Sequence, residues 1–393
     1  MTPDWLPALA ADVTARVDEL AAGLVALSHD IHDDPELGFA EHHASARLAG
    51  ALSDAGFRTS TGVAELPTAF RAERSFGTGG PTIAVFCEFD ALPEIGHACG
   101  HNIIATAGLG AALTVARRLA ETGGNGRLVV LGSPAEEGGG GKVMMADAGL
   151  LSDVDVAVMV HPAGFDAVSR TNLGRVSLEA VFTGRASHAA AAPERGLNAL
   201  DAATLLLVAI GLLRQQLRTD SRLHANLVEG GDAINVIPER SRVKLFIRSP
   251  DVDYLRGRLY EALHDCVRGA AIATGTQYEL TEVAPAYDPV RTNPVLAELA
   301  AHAFTALGRP IDPVEGRSGN AGSTDMGNVS QLVPAIHPYI CVAPGLALHT
   351  RDFAAAVRTA DGDRAVRDGA SLLAITVAAL FDHPGLVDEA KAS

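Results

Sequence analysis

The sequence predicts an α/β protein of two domains, a mainly parallel-sheet domain into which a smaller α+β domain is inserted. Three observations predict it. Near-continuous apolar stretches at 82–89, 127–132 and 154–160 are separated by helical patterns, the arrangement of parallel strands covered on both faces. Between about 171 and 287 the pattern changes to period two, the mark of antiparallel strands buried on one side. From 293 onward a helix, a strand at 335–342 and a final helix resume, completing the first domain. The outer domain is therefore placed at 1–172 and 288–393 and the inserted one at 173–287, within the range that a length of 393 residues suggests.

In chain order, Val13, Val17, Leu20, Leu24, Leu27 and Ile31 recur every three or four residues, an amphipathic helix stopped by Pro35. A second helix starts near Glu41 and closes at Gly56. The 82–89 strand leads to a helix over 102–121, the 127–132 strand to a short helix near Lys142. In the inserted segment Val176, Leu178, Ala180 and Phe182 alternate with their neighbours, as do Val243, Leu245 and Ile247, and 197–217 reads as one long apolar helix.

Composition narrows the function. There are 31 basic and 47 acidic side chains, a net charge of −16, which excludes a basic nucleic-acid binder. The longest apolar runs, 202–213 and 370–381, fall short of the roughly 20 residues that cross a bilayer, so no membrane span is expected. No secretory signal is readable, and four scattered cysteines without a CxxC pair do not make a disulfide framework, so the expected compartment is the cytosol.

Polar residues cluster where strands end. Asp90 follows the first strand, Glu136 and Glu137 the second, and His161 the third. In an open parallel sheet the ligand site lies outside the carboxyl ends of the strands, so these four should converge. Cys99 and His101, flanking a glycine in a loop, are good ligands for zinc and similar metals. Two adjacent carboxylates repel unless a cation compensates them; one can ligate a metal while the other takes a proton from water. A solvated pair at a helix start is the alternative. His161, otherwise a core histidine, and His349 after another strand bring the candidate ligands to five, Cys99, His101, Glu137, His161 and His349. Five suit two metals that share a ligand. His97 has no assigned role. Neither a G-x-S-x-G elbow nor a phosphate loop is present, and the 138–141 glycine run lets backbone pass close to the site.

The ordered motifs HDIHDDPELGFAE, FDALPEIGHACGHN, SPAEEGGGG, GRASHAAAAPERGLNAL, GGDAINVIPE, GSTDMGNVS and ALHT resemble the co-catalytic metallopeptidases that include aminoacylases, hippurate hydrolases and glutamate carboxypeptidases. The similarity is closest to the amidohydrolase branch in which cysteine replaces a bridging aspartate, near the aminobenzoyl-glutamate hydrolases and β-alanyl-lysine type dipeptidases. It implies that Cys99 bridges two divalent metals, zinc by default with manganese or cobalt as substitutes, and that His101, Glu137, His161 and His349 complete the shells. It also implies that Glu136 is the general base and that Asp90 orients His101. In a ferredoxin-like inserted lid, His188 would reach a dimer partner's site and stabilise the oxyanion, while Asn235 and Arg248 hold the substrate carboxylate. Taken alone, Arg248 also reads as a surface charge and Asn235 as a turn residue. Glu88 stands where the peptidase branch has a metal-binding histidine. The function implied is hydrolysis of small dipeptides or N-acyl amino acids by a homodimer. An aminoacylase for larger acyl groups, or a metal-binding assembly protein without catalysis, are the alternatives.

Overall fold

The computed structural model describes residues 3–309, 311 and 320–393. The chain divides into two compact units. Unit 1 comprises Met1–Thr171, Arg291–Asn320 and Asp325–Ser393; unit 2 comprises Asn172–Val290 and Ala321–Thr324.

Unit 1 is built on a six-stranded sheet in the order Arg58–Thr61, Phe70–Phe76, Gly126–Ser133, Thr82–Glu88, Val156–Val158, Ala335–Ile336. The last four strands run parallel. The first two form an antiparallel hairpin laid against Gly126–Ser133, a departure from an all-parallel sheet. The hairpin escapes sequence reading because Arg58–Thr61 is a short, largely exposed edge strand, and FRAERSF breaks its alternation with charges. Successive residues of the central strands feed opposite cores. Ile83 and Val85, Leu128 and Val130, Val156 and Val158 join one cluster, and Ala84 and Phe86, Val129 and Leu131, Ala157 and Met159 join the other. Leu6–Asp33, His101–Thr122 and Ala360–Asp382 pack together in the first of these clusters.

Two expected strands are each broken. The 154–160 stretch gives Val156–Val158 and then His161–Ala163; the 335–342 stretch gives Ala335–Ile336 and Tyr339–Cys341. His161–Ala163 and Tyr339–Cys341 pair in parallel as a separate two-stranded sheet. Pro338, which has no N–H to give a ladder, stands at the second break.

Unit 2 has the element order strand, helix, strand, strand, helix, strand of a ferredoxin-like fold. Its antiparallel sheet runs Gln277–Glu282, Gly174–Thr183, Arg240–Ser249, Arg222–Glu229, with Ala199–Leu213 and Tyr260–Thr274 over one face. The first helix is shorter than the 197–217 pattern: Asn198 caps it by accepting a hydrogen bond from Leu200 N at 3.0 Å, and it ends in the 3-10 turn Arg214–Gln216.

The reading of membrane spans from unbroken apolar runs is too strict. His101–Thr122 and Ala199–Gln216 are each long and apolar enough to cross a membrane by length and composition. Most of the first is buried inside unit 1, whereas much of the second is uncovered.

Candidate metal centre

The carboxyl ends of the central strands deliver the polar groups. Asp90 lies two residues past Thr82–Glu88, Glu136 three past Gly126–Ser133, and His161 opens the small second sheet. The backbone is forced in three places. Ala135, just before Glu136, has φ 56°, and His349 has φ 60°, left-handed conformations that cost an L-residue energy and persist only when the surroundings impose them. His349 N donates to Ala98 O at 2.9 Å, which ties its loop to the Cys99 segment. At Gly141 a Cβ would lie 2.0 Å from Pro134 O, so only glycine lets the Glu136–Glu137 loop close.

His101 begins its helix with Nδ1 3.0 Å from Asp90 Oδ1. Asp90 Oδ2 accepts from Glu137 N at 3.0 Å. Burial would raise the Asp90 carboxyl, but the His101 ring and backbone amides outweigh it and hold it below the ordinary range. With Nδ1 engaged, His101 Nε2 faces Glu88 Oε2 at 3.6 Å and Glu136 Oε2 and Glu137 Oε1 at 3.9 Å each. His161 Nδ1 donates to Pro162 O at 2.7 Å, and its Nε2 is 3.6 Å from Cys99 Sγ. Burial pushes His161 down to about 4, with Glu88 opposing, and lifts the Cys99 thiol well above its usual value. His349 Nε2 lies 3.2 Å from Glu137 Oε1.

These atoms form two donor triplets that meet at one sulfur. Cys99, His101 and His161 offer ligand atoms within 4.8 Å of one another, and so do Cys99, Glu137 and His349. Two triplets joined at a thiolate are what a pair of divalent ions needs. The electrostatics agree. Glu88, Asp90, Glu136 and Asp325 are buried and Glu137 half-buried, whereas Lys142 is the one ammonium bonded into the group among the described residues. His101 Nε2 and Glu88 Oε2 are buried without hydrogen-bond partners, as groups awaiting a cation are. The residues therefore fit a dinuclear centre. Glu136 belongs to two further donor groups, one with His101 and Glu137 and one with Glu88 and Asp325, and its carboxyl is raised well above normal by burial, then by Glu88, Asp325 and Glu137. Glu137 goes the other way, because His349 and His101 outweigh its burial.

Sequence reading passed over Lys142 and Asp325 as chemistry. Lys142 Nζ bonds Glu88, and Asp325 Oδ1 at 2.8 Å, while Lys142 N donates to Asp325 Oδ2 at 2.9 Å. The acid of GSTDMGN, next to a glycine-rich motif, was the available signal. His337 is also new: buried between His161 and Tyr339, it has no hydrogen bond on either ring nitrogen. Glu88 is an ion-pair partner of Lys142. His97 belongs to no triplet among the described residues; its Nε2 is 3.1 Å from Ile31 O, and burial keeps it neutral, down to about 3.

His188, Asn235 and Arg248 lie in unit 2. Ala189 N donates to Asn235 O, which holds the His188 and Asn235 loops together. His188 Nδ1 accepts from Ala190 N and Ala191 N, so in the neutral ring the proton resides on Nε2, an outward donor. Arg248 Nη1 donates to Ser323 Oγ at 3.0 Å.

Comparison with known proteins agrees with this chemistry. The description of peptidase family M20/M25/M40 matches residues 85–374. The chain is 36% identical over 390 residues to the Xaa-Arg dipeptidase of Mus musculus, covering 95% of this chain and 89% of that one. It is 30% identical over 437 residues to one of the two p-aminobenzoyl-glutamate hydrolase polypeptides of Escherichia coli K12, covering 93% and 90%. Among solved structures, a dinuclear metal-binding peptidase of the M20 family from Bacillus subtilis superposes with a TM-score of 0.71 at 21% identity, covering 93% of this chain and 99% of that one. An aminobenzoyl-glutamate utilization protein from Klebsiella pneumoniae gives 0.71 at 21%, covering 93% and 96%. These two likenesses show the fold. The chain thus belongs to peptidase family M20/M25/M40 and is a hydrolase of amide or peptide bonds.

Proposed function

We propose that the protein hydrolyses the amide bond of small N-acyl amino acids or dipeptides that carry a free carboxylate. The observation that carries this reading is the meeting of two donor triplets at Cys99, with the Glu136 carboxyl, a neighbour of His101 and Glu137, alongside. Two divalent cations held there, zinc by default with manganese or cobalt as substitutes, would acidify water and polarise the scissile carbonyl. Cys99, His101 and His161 would hold one, Cys99, Glu137 and His349 the other, and Asp90 fixes the His101 tautomer. Glu136 takes the proton from the attacking water and returns it to the leaving amine, the role its raised carboxyl suits. In the homodimer this reading requires, His188 Nε2–H of one copy would donate to the oxyanion in the partner's site, and Asn235 and Arg248 would receive the substrate carboxylate.

The similarity to a dipeptidase and to an acyl-glutamate hydrolase supports this substrate range. Relative rates on β-alanyl-lysine, aminobenzoyl-glutamate and benzoyl-glycine separate the dipeptidase reading from that of an aminoacylase for larger acyl groups.

Unit 2 serves in this proposal as lid and dimerisation domain. Leu205, Val208 and Leu212 expose 41%, 56% and 60% of their surface at helical spacing, and Arg222–Glu229, with Leu227 and Val228 exposed, is an edge strand. A second copy of the chain would cover both. A cytosolic location belongs to the same proposal, supported by four cysteines that are all free thiols.

Glu136→Gln tests the mechanism. Expected are two bound metal ions per chain by elemental analysis and a kcat reduced by about 10²- to 10⁴-fold. Retained metal with undiminished hydrolysis would sink the proposed base.

A further inference from the structure

The proposed substrate site uses one guanidinium, Arg248, and the sheet that carries it holds a second. On the face of the unit 2 sheet turned away from its helices, Arg175 stands directly opposite Arg248 on the neighbouring strand, and Arg222 stands opposite Arg248 on its other side. Like charges directly opposite one another destabilise a sheet unless something neutralises them. Elsewhere on this face the sheet supplies its own partners: Arg242 lies 2.7 Å from Glu229 and 3.2 Å from Glu179. Arg222 is occupied by the carbonyl oxygens of Thr219 and Ser221, at 2.8 Å each.

Among the described residues Arg175 and Arg248 have no such compensation. Neither forms an ion pair among the described residues. Arg175 is stacked 4.0 Å over the Tyr287 ring, and its Nε is buried without a hydrogen bond. Arg248 donates to Ser323 Oγ, its one side-chain hydrogen bond among the described residues. Both lie against Phe246, 5.9 Å and 5.4 Å from its ring centre, so the two side chains share a common wall. Burial and the neighbouring Arg175 push Arg248 below the ordinary arginine range, the sign of an uncompensated charge.

We propose that Arg175 and Arg248 form a dicarboxylate subsite, so that the preferred substrates are amides whose released amino acid carries a second carboxylate, as glutamate and aspartate do. This rests on the assignment of Arg248 to the substrate carboxylate. One carboxylate leaves a guanidinium unneutralised, and two neutralise both. The strands carrying them are adjacent, about 4.8 Å apart, a separation that carboxyl groups two or three carbons apart can span. Arginine presents a fork of donors that binds each carboxylate with two hydrogen bonds.

The test compares the metal-loaded enzyme on N-benzoyl-glutamate and N-benzoyl-glutamine, near-isosteres that differ in the second carboxylate. Wild type should favour the glutamate compound by about 10- to 100-fold in kcat/KM, mainly through KM, the worth of one charged hydrogen-bonded contact. Arg175→Met should bring that ratio to near one, and Arg175→Lys should restore part of it. A wild-type ratio near one, or a ratio that survives in Arg175→Met, overturns the proposal. Calorimetric titration with glutarate and with its monoamide keeps the two readings apart. If neither amide is hydrolysed, the proposed reaction falls. Tighter binding of glutarate by wild type and not by Arg175→Met still supports the subsite, and equal binding overturns it.

Discussion

Replacing Lys142 by methionine isolates the electrostatics on which the centre is built. The ammonium is fully enclosed, as are its partners Glu88 and Asp325. Methionine fills a similar volume, so packing is largely kept and the change is one of charge. Asp325 retains the Lys142 backbone amide as a donor, whereas Glu88 loses its one side-chain hydrogen-bond partner among the described residues. Removing one member of a buried ion pair costs about 3–5 kcal/mol, a large part of the roughly 5–15 kcal/mol that holds a protein folded.

The sign with pH follows. Burial already raises the Asp325 carboxyl, with Lys142 opposing that rise. In the variant its folded value climbs further above the unfolded one, so the deficit is small below about pH 4 and grows as pH rises toward the new folded value. Urea unfolding followed by fluorescence reads this directly. Trp5, the sole tryptophan, lies in unit 1 and its ring sits 4.2 Å from that of His383. A Lys142→Met protein as stable as wild type, or a deficit unchanged between pH 4.5 and 8, would refute the reasoning.

Asp90→Asn replaces the acceptor for His101 Nδ1 by an amide that no longer fixes the ring's tautomer, and metal affinity should fall about 10- to 100-fold in chelator competition. Unchanged affinity would remove Asp90 from the centre. Val208→Asp puts a charge on the exposed apolar face of Ala199–Leu213, and sedimentation should show a wild-type dimer becoming a monomer. A wild-type monomer would dismiss the self-association proposal, and flotation with lipid vesicles would give that face a different cover.

Legibility followed sequence separation. The Cys99 and His101 pair and the two glutamates were readable because each lies within one short loop at the end of a strand whose apolar character was plain. The broken strands were not, since 154–160 and 335–342 are mostly apolar and only their pairing shows where one sheet ends and another begins. Arg222–Glu229 and Gln277–Glu282 were missed because they are the two edge strands of their sheet, with one fully buried position in the first and none in the second.

The amino-acid sequence by itself determined the α/β class, the inserted α+β segment and the residue types able to gather metal, because periodicity and strand-end placement are local properties. Folding alone decided that Lys142 fills the space between Glu88 and Asp325 and that Arg175 faces Arg248. Those facts depend on distances between residues tens to hundreds of positions apart, and register and packing set such distances where local pattern is silent.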